Sequence, residues 1–145
     1  MQMRLTIPRE YARVDDLNAS LDAMLANNGV SQGIRDDVRL IVEELASNAI
    51  EHGDTQGIEP EQHDLCVDIG IQGDLLDLVF REGGAPYDPL TEAPPDLDGD
   101  LLDRPIGGLG IHLIRALAED LRYERVDQFN ILRITLRIPT PETAS

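Results

Sequence analysis

The stretch Leu65-Cys66-Val67-Asp68-Ile69-Gly70-Ile71-Gln72-Gly73-Asp74-Leu75-Leu76-Asp77-Leu78-Val79-Phe80 decides the fold class. Leu65, Val67, Ile69 and Ile71 recur at every second position, the period of a strand with one buried face. Gln72-Gly73-Asp74 is turn chemistry, and Leu76, Leu78 and Phe80 then resume the alternation. Two strands joined so tightly form an antiparallel hairpin.

Upstream the period changes. Met3, Leu5 and Ile7 alternate as a short first strand ending at Pro8, whereas Val14, Leu17, Leu21, Met24 and Leu25 form a helical stripe that Asn27-Asn28-Gly29 ends. Ser31 reads as the N-cap of a second helix with Ile34, Val38, Ile41, Val42, Leu45, Ala49 and Ile50 on its apolar face, closed by Gly53. Downstream, no period is sustained between Gly83 and Gly108, a span that carries several prolines and an acidic cluster. So long a loop is usually functional or mobile. Ile111, Ile114, Leu117 and Leu121 mark a third helix starting just after Gly110. Strands follow around Leu121 to Val126 and Ile131 to Ile138, and a frayed tail of about 139–145 ends the chain. This clustering predicts an α+β fold, a two-layer sandwich with helices on one face of a mixed, mostly antiparallel sheet. At 145 residues the chain suits a single domain.

Composition removes several function classes. Aromatic residues are 3% of the chain and Trp is absent, too few for a base-stacking platform. A net charge of -16 repels a phosphate backbone, which argues against direct nucleic-acid binding. The acidity suits either a basic protein surface or plain solubility. Cys66 is the only cysteine, so internal disulfides and multi-cysteine metal sites are excluded, and it reads as a small buried residue. No signal peptide and no membrane-spanning apolar run is recognisable, so no membrane partner is expected and a cytoplasmic protein is the natural reading.

Three segments could carry chemistry. On the second helix, about 100° per residue puts Glu44 and Asn48 on one flank and turns Glu43 toward solvent. A carboxylate and an amide one turn apart can act together on a water or on Mg²⁺, which takes oxygen ligands; taken alone, the pair reads more simply as an ordinary polar flank with an i,i+4 hydrogen bond. His52 falls on the apolar side and reads as a capping or packing residue. The second segment, Arg81-Glu82-Gly83-Gly84-Ala85-Pro86-Tyr87-Asp88-Pro89, follows a strand. Its glycines allow close backbone approach to a flat ligand or a sharp turn, and Glu82 offers an acceptor for an exocyclic amine. The third is Ile106-Gly107-Gly108-Leu109-Gly110-Ile111, where glycines at a helix start bare N–H groups for phosphate. No Lys follows, so this is not the common mononucleotide loop. Asp96-Leu97-Asp98-Gly99-Asp100 imitates a calcium loop, but Leu101 and Gly107 stand where such a loop needs Gly and Glu, which leaves a solvated acidic loop.

Together and in this order, the segments resemble the GHKL (Bergerat-fold) ATPases shared by histidine kinases, gyrase and related proteins. Within that group they resemble the short anti-sigma factor serine kinases of bacterial partner-switching systems. Glu44-Leu45-Ala46-Ser47-Asn48-Ala49 is similar to their N box, Gly84-Ala85-Pro86-Tyr87-Asp88-Pro89 to their G1 segment and Gly107-Gly108-Leu109-Gly110-Ile111 to their G2 segment. Asn130-Ile131-Leu132-Arg133-Ile134 is also similar to the family. The resemblance implies that Asn48 holds Mg²⁺ and that Glu44 acts at the γ-phosphate as the base or water-positioning group. It also implies that Gly84 borders the adenine pocket, that Gly107, Gly108, Leu109 and Gly110 take the phosphates, and that about 84–107 forms an ATP lid. Glu82 departs from the family, which usually has Asp there reading the adenine amino group.

The activity this implies is phosphorylation of a serine or threonine on a STAS-type anti-anti-sigma protein from Mg·ATP, with binding of a sigma factor or similar regulatory protein, and a homodimer is common in the family. The alternative is a non-catalytic adaptor, nucleotide-gated or nucleotide-free. A histidine-kinase-like phosphotransfer ATPase fits less well, because no helix pair with a phospho-acceptor histidine is seen ahead of the domain.

Overall fold

The computed structural model describes residues 1–91 and 107–139. Its elements are β1 (Gln2–Ile7), α1 (Tyr11–Asn27), α2 (Gln32–His52), β2 (Leu65–Gln72), β3 (Leu75–Gly83), α3 (Gly107–Leu117), β4 (Asp120–Val126) and β5 (Phe129–Arg137). Short 3-10 turns lie at Pro60–Gln62 and Pro89–Thr91. The strands form one five-stranded sheet in the order β1-β2-β3-β5-β4, and each pairing is antiparallel. The mostly antiparallel sheet expected from the sequence is thus antiparallel throughout these strands.

Alternation fixes which face is covered. Leu5, Val67, Phe80, Leu132 and Tyr123 stand side by side across all the strands, and Met3, Ile69, Leu78, Ile134 and Leu121 form a second such row. These rows join one core with Leu17, Leu21 and Leu25 of α1, Ile41, Val42 and Leu45 of α2, and Ile111 and Ile114 of α3. Leu78 has no exposed surface and Ile134 only 1%, so cutting either to alanine costs ~2–5 kcal/mol. On the other face, Arg4 meets Asp68 at 2.6 Å and Arg137 meets Asp74 and Glu119 at 2.6 Å each. Exposed pairs such as these contribute little stability.

α1 and α2 run as the apolar stripes require, with Ala46 joining the buried stripe of α2. Gly29, at φ 77, ends the first helix, and the Val30 N–H returns to the Leu25 carbonyl at 3.0 Å. Ser31 occupies the N-cap position of α2, but its side chain makes no capping hydrogen bond. Asn18 is an exception to the apolar interior: it is 3% exposed, and neither polar atom of its side chain has a partner among the described residues.

Three boundaries differ from the sequence reading. α3 starts at Gly107, so the glycines form its first turn and do not precede it. Leu121 lies in β4 and pairs with Ile134, because α3 ends at Leu117. β5 begins at Phe129, which brings Asn130 inside a strand. The calcium-like acidic stretch, most of the expected lid and residues 140–145 fall outside the described residues.

Candidate functional site

α2 crosses the helical layer with Leu45, Ala46 and Ala49 buried beneath it. That burial sets the phase of its polar flank. Glu43 turns outward and pairs with Arg39 at 3.3 Å, with 48% of its side chain exposed. Glu44 is half-buried and lies against the first turn of α3. A Cβ on Gly110 would stand 2.7 Å from Glu44 Cγ and closer still to the carboxylate, so this contact exists because residue 110 has no side chain. Burial raises the Glu44 pKa above the ordinary carboxylate range, and the nearby charges of Glu51 and Glu43 push it the same way. Asn48, one turn on, is half-buried, and its amide hydrogen-bonds to no described residue.

Asn48 also borders a cleft of about 190 Å³ between the C-terminal half of α2 and the ends of β3 and β5. Ala49, Phe80 and Leu132 supply apolar wall, Pro86 and Tyr87 form a rim, and Glu82 and Asn130 bring polar groups inward. An apolar cleft with a few placed polar groups is the usual form of a small-molecule site. His52 lines its mouth with 64% of its side chain exposed, 3.7 Å from Glu51. The packing role read for His52 is therefore corrected: the last turn of α2 projects beyond the core, and the N–H of Gly53 caps Ala49.

Glu82 reaches the cleft as a buried carboxylate with 9% exposure. Its Oε2 accepts from Arg9 Nη1 at 3.1 Å and its Oε1 from Asn130 Nδ2 at 3.3 Å. Asn130 is itself saturated. Its Nδ2 also donates to the Ala85 carbonyl at 2.9 Å, while its Oδ1 accepts from the Tyr87 N–H, the Tyr123 hydroxyl and Arg125 at 3.1, 2.5 and 3.2 Å. The segment after β3 is thereby pinned to β4 and β5. Gly84 is buried under this segment: a Cβ there would come within 2.9 Å of the Asp54 carbonyl, to which Ala85 N donates at 2.8 Å. What Gly84 approaches is the backbone leaving α2, and its neighbours Glu82 and Ala85 form the cleft wall.

The sequence-derived residues thus gather into two adjoining halves. Glu44 and Gly110 meet at the start of α3, Glu82 stands in the cleft, and Asn48 borders the cleft one helical turn from Glu44. Gly107, Gly108 and Leu109 contribute backbone to the first turn of α3, where N–H groups lack helical partners and favour an anion. The sequence reading missed Arg9 and the role of Asn130. An arginine between Pro8 and Glu10 gives no local signal, since its partners lie far along the chain.

A half-buried carboxylate against a helix that opens on glycines, with an uncommitted amide one helical turn along beside an apolar cleft, has the make-up of a small-molecule site. The chain belongs to the histidine kinase-like ATPase domain family, which it matches over residues 7–136. It is 29% identical over 107 residues to the serine/threonine-protein kinase BtrW of Bordetella bronchiseptica, covering 72% of each chain. It is 27% identical over 124 residues to the serine-protein kinase RsbW of Listeria monocytogenes, covering 83% of this chain and 76% of that one. In fold it is similar to the solved RsbU and RsbW domains of Rv1364c from Mycobacterium tuberculosis, with a TM-score of 0.68 at 17% identity. That alignment covers 97% of this chain and spans about a third (33%) of the other. Among the described residues no helix is long and apolar enough to cross a membrane.

Proposed function

We propose that the chain is an ATP-dependent protein serine/threonine kinase that also regulates by binding: it phosphorylates a STAS-type antagonist protein and holds a sigma factor or similar partner. The observation that carries this reading is the Glu44 carboxylate against Gly110 in the first turn of α3, with Asn48 one helical turn along beside the cleft. The kinase names of BtrW and RsbW support it.

In phosphoryl transfer most of the catalysis is positioning and charge neutralisation. The substrate hydroxyl oxygen forms a bond to the γ-phosphorus as the bond to the departing ADP breaks. Glu44 takes the hydroxyl proton. Its raised pKa suits a base, because a stronger base accepts a proton more readily at neutral pH. The bare N–H groups of the α3 turn would receive the phosphates. The Asn48 amide fits Mg²⁺, an ion that takes few protein oxygens and otherwise keeps phosphate and water ligands; it would supply charge neutralisation. Glu82 would accept a hydrogen bond from the base.

Incubation with Mg·ATP and a STAS-type protein, followed by mass measurement of that protein, tests the reading. One added phosphoryl group with wild type and none with Glu44→Ala is the expected result. Equal phosphorylation by Glu44→Ala would overturn the role of Glu44.

A second reading, a partner-binding adaptor without catalysis, draws on one observation: both oxygens of Glu82 already accept hydrogen bonds from the protein. Absence of binding heat on calorimetric titration with Mg·ATP would leave only this reading, and binding without transfer to a STAS-type protein would point to its nucleotide-gated form.

A further inference from the structure

We infer that Arg9 is the positioning residue of the base-binding end of the cleft, acting with Asn130 to set how Glu82 reads a nucleobase. This rests on the reading of the cleft as a nucleotide site. Arg9 lies in the short connection from β1 to α1, and its side chain is 13% exposed. Its Nε donates to the His63 carbonyl at 3.0 Å, Nη1 to the Ala49 carbonyl at 2.7 Å and to Glu82 at 3.1 Å, and Nη2 to the Gly83 carbonyl at 2.6 Å. One guanidinium therefore ties together the last turn of α2, the segment before β2 and the end of β3, and the first and last of these carry cleft-lining residues. Gly53 leaves room for it: a Cβ there would stand 2.5 Å from Arg9 Nη1.

The consequence falls on Glu82. An ionised carboxylate has about four acceptor positions. Arg9 takes one on Oε2 and Asn130 one on Oε1, so the carboxylate is gripped from both ends and cannot rotate. The remaining positions are left for a donor from the cleft, such as the exocyclic amino group of adenine. Arg9 also places a positive charge 3.1 Å from the buried Glu82 carboxylate, which offsets the cost of burying it. A shorter Asp at 82 cannot span the same two donors. In this chain, then, the customary Asp is the worse residue, because it leaves the buried Arg9 guanidinium without its counter-charge.

The experiment compares Kd values for Mg·ATP and Mg·ITP, whose base carries an oxygen in place of the amino group. Wild type, Arg9→Gln, Glu82→Asp and the double variant are titrated calorimetrically, with thermal melts alongside. Wild type should favour ATP by about tenfold or more. Arg9→Gln should lose most of that ratio with ITP affinity held within about threefold, because the phosphate half is untouched. Glu82→Asp should lose it as well, and the double variant should lose no more than either single, since both act through one carboxylate. A folded Arg9→Gln that keeps the wild-type ratio overturns the inference and leaves Arg9 a structural clamp. If Arg9→Gln does not fold, Glu82→Asp decides: undiminished preference for ATP overturns the inference. Wild type that binds both nucleotides equally sinks the inference alone, whereas wild type that binds neither sinks the nucleotide-site reading beneath it.

Discussion

Replacing Gly110 with alanine puts a methyl group where the Glu44 side chain now lies. The added Cβ would stand 2.7 Å from Glu44 Cγ and nearer to the carboxylate, whereas carbon atoms rest at roughly 3.5–4.0 Å. Glu44 must therefore retreat by about 1 Å or more, and a shift of that size in a reacting group costs about 100-fold in rate. That corresponds to about 2.7 kcal/mol of transition-state stabilisation. The fold should not suffer. Gly110 is not among the residues with positive φ, and the end of a flexible side chain yields more readily than backbone. Alanine also favours helix over glycine by up to ~1 kcal/mol. The expected outcome is single-turnover phosphoryl transfer at saturating ATP slowed about 100-fold, and a melting temperature unchanged or raised. Transfer within about threefold of wild type from a folded Gly110→Ala protein would refute the reasoning, because Glu44 would then not need its present position.

Three further predictions follow from the same structure. The transfer rate should rise with pH as Glu44 loses its proton, along a limb above the ordinary carboxylate range because burial, then Glu51 and Glu43, raise its pKa. Glu51→Gln should move that limb to lower pH and Glu44→Gln should abolish it; a limb unmoved by Glu51→Gln contradicts the electrostatic part. A folded-state pKa above the unfolded value means that this group's contribution to stability is present at low pH and lost as pH rises through the folded pKa. Melts of Glu44→Gln should accordingly fall less steeply over that window than those of wild type. Asn18→Leu should stabilise the fold by ~1–2 kcal/mol, since it removes buried polar atoms without partners; a lower denaturant midpoint would contradict this.

The fold was legible in the sequence wherever period reflects burial. The alternation of Leu65 to Phe80 and the stripe from Ile34 to Ala49 correspond directly to the two sides of the core. The phase of α2 likewise separates Glu44 from Glu43. Boundaries were less legible: Leu121 suits a helix stripe and a strand equally, and only its pairing with Ile134 decides. His52 shows the limit of periodicity, since an apolar phase buries nothing once a helix runs past the core. The polar framework was the least legible part. Arg9 and Glu82 are separated by 73 positions and Asn130 and Glu82 by 48, and one sequence carries no signal linking such residues.

The proposed function requires Asn48 and the cleft beside it to hold ATP together with a magnesium ion. Calorimetric titration of ATP, with and without Mg²⁺, into wild type and Asn48→Ala tests this most directly. The expected result is saturable binding in wild type that strengthens with Mg²⁺, and binding in Asn48→Ala that is weaker and indifferent to the ion. Absence of ATP binding by the folded wild-type protein, or an unchanged Mg²⁺ dependence in Asn48→Ala, would contradict it.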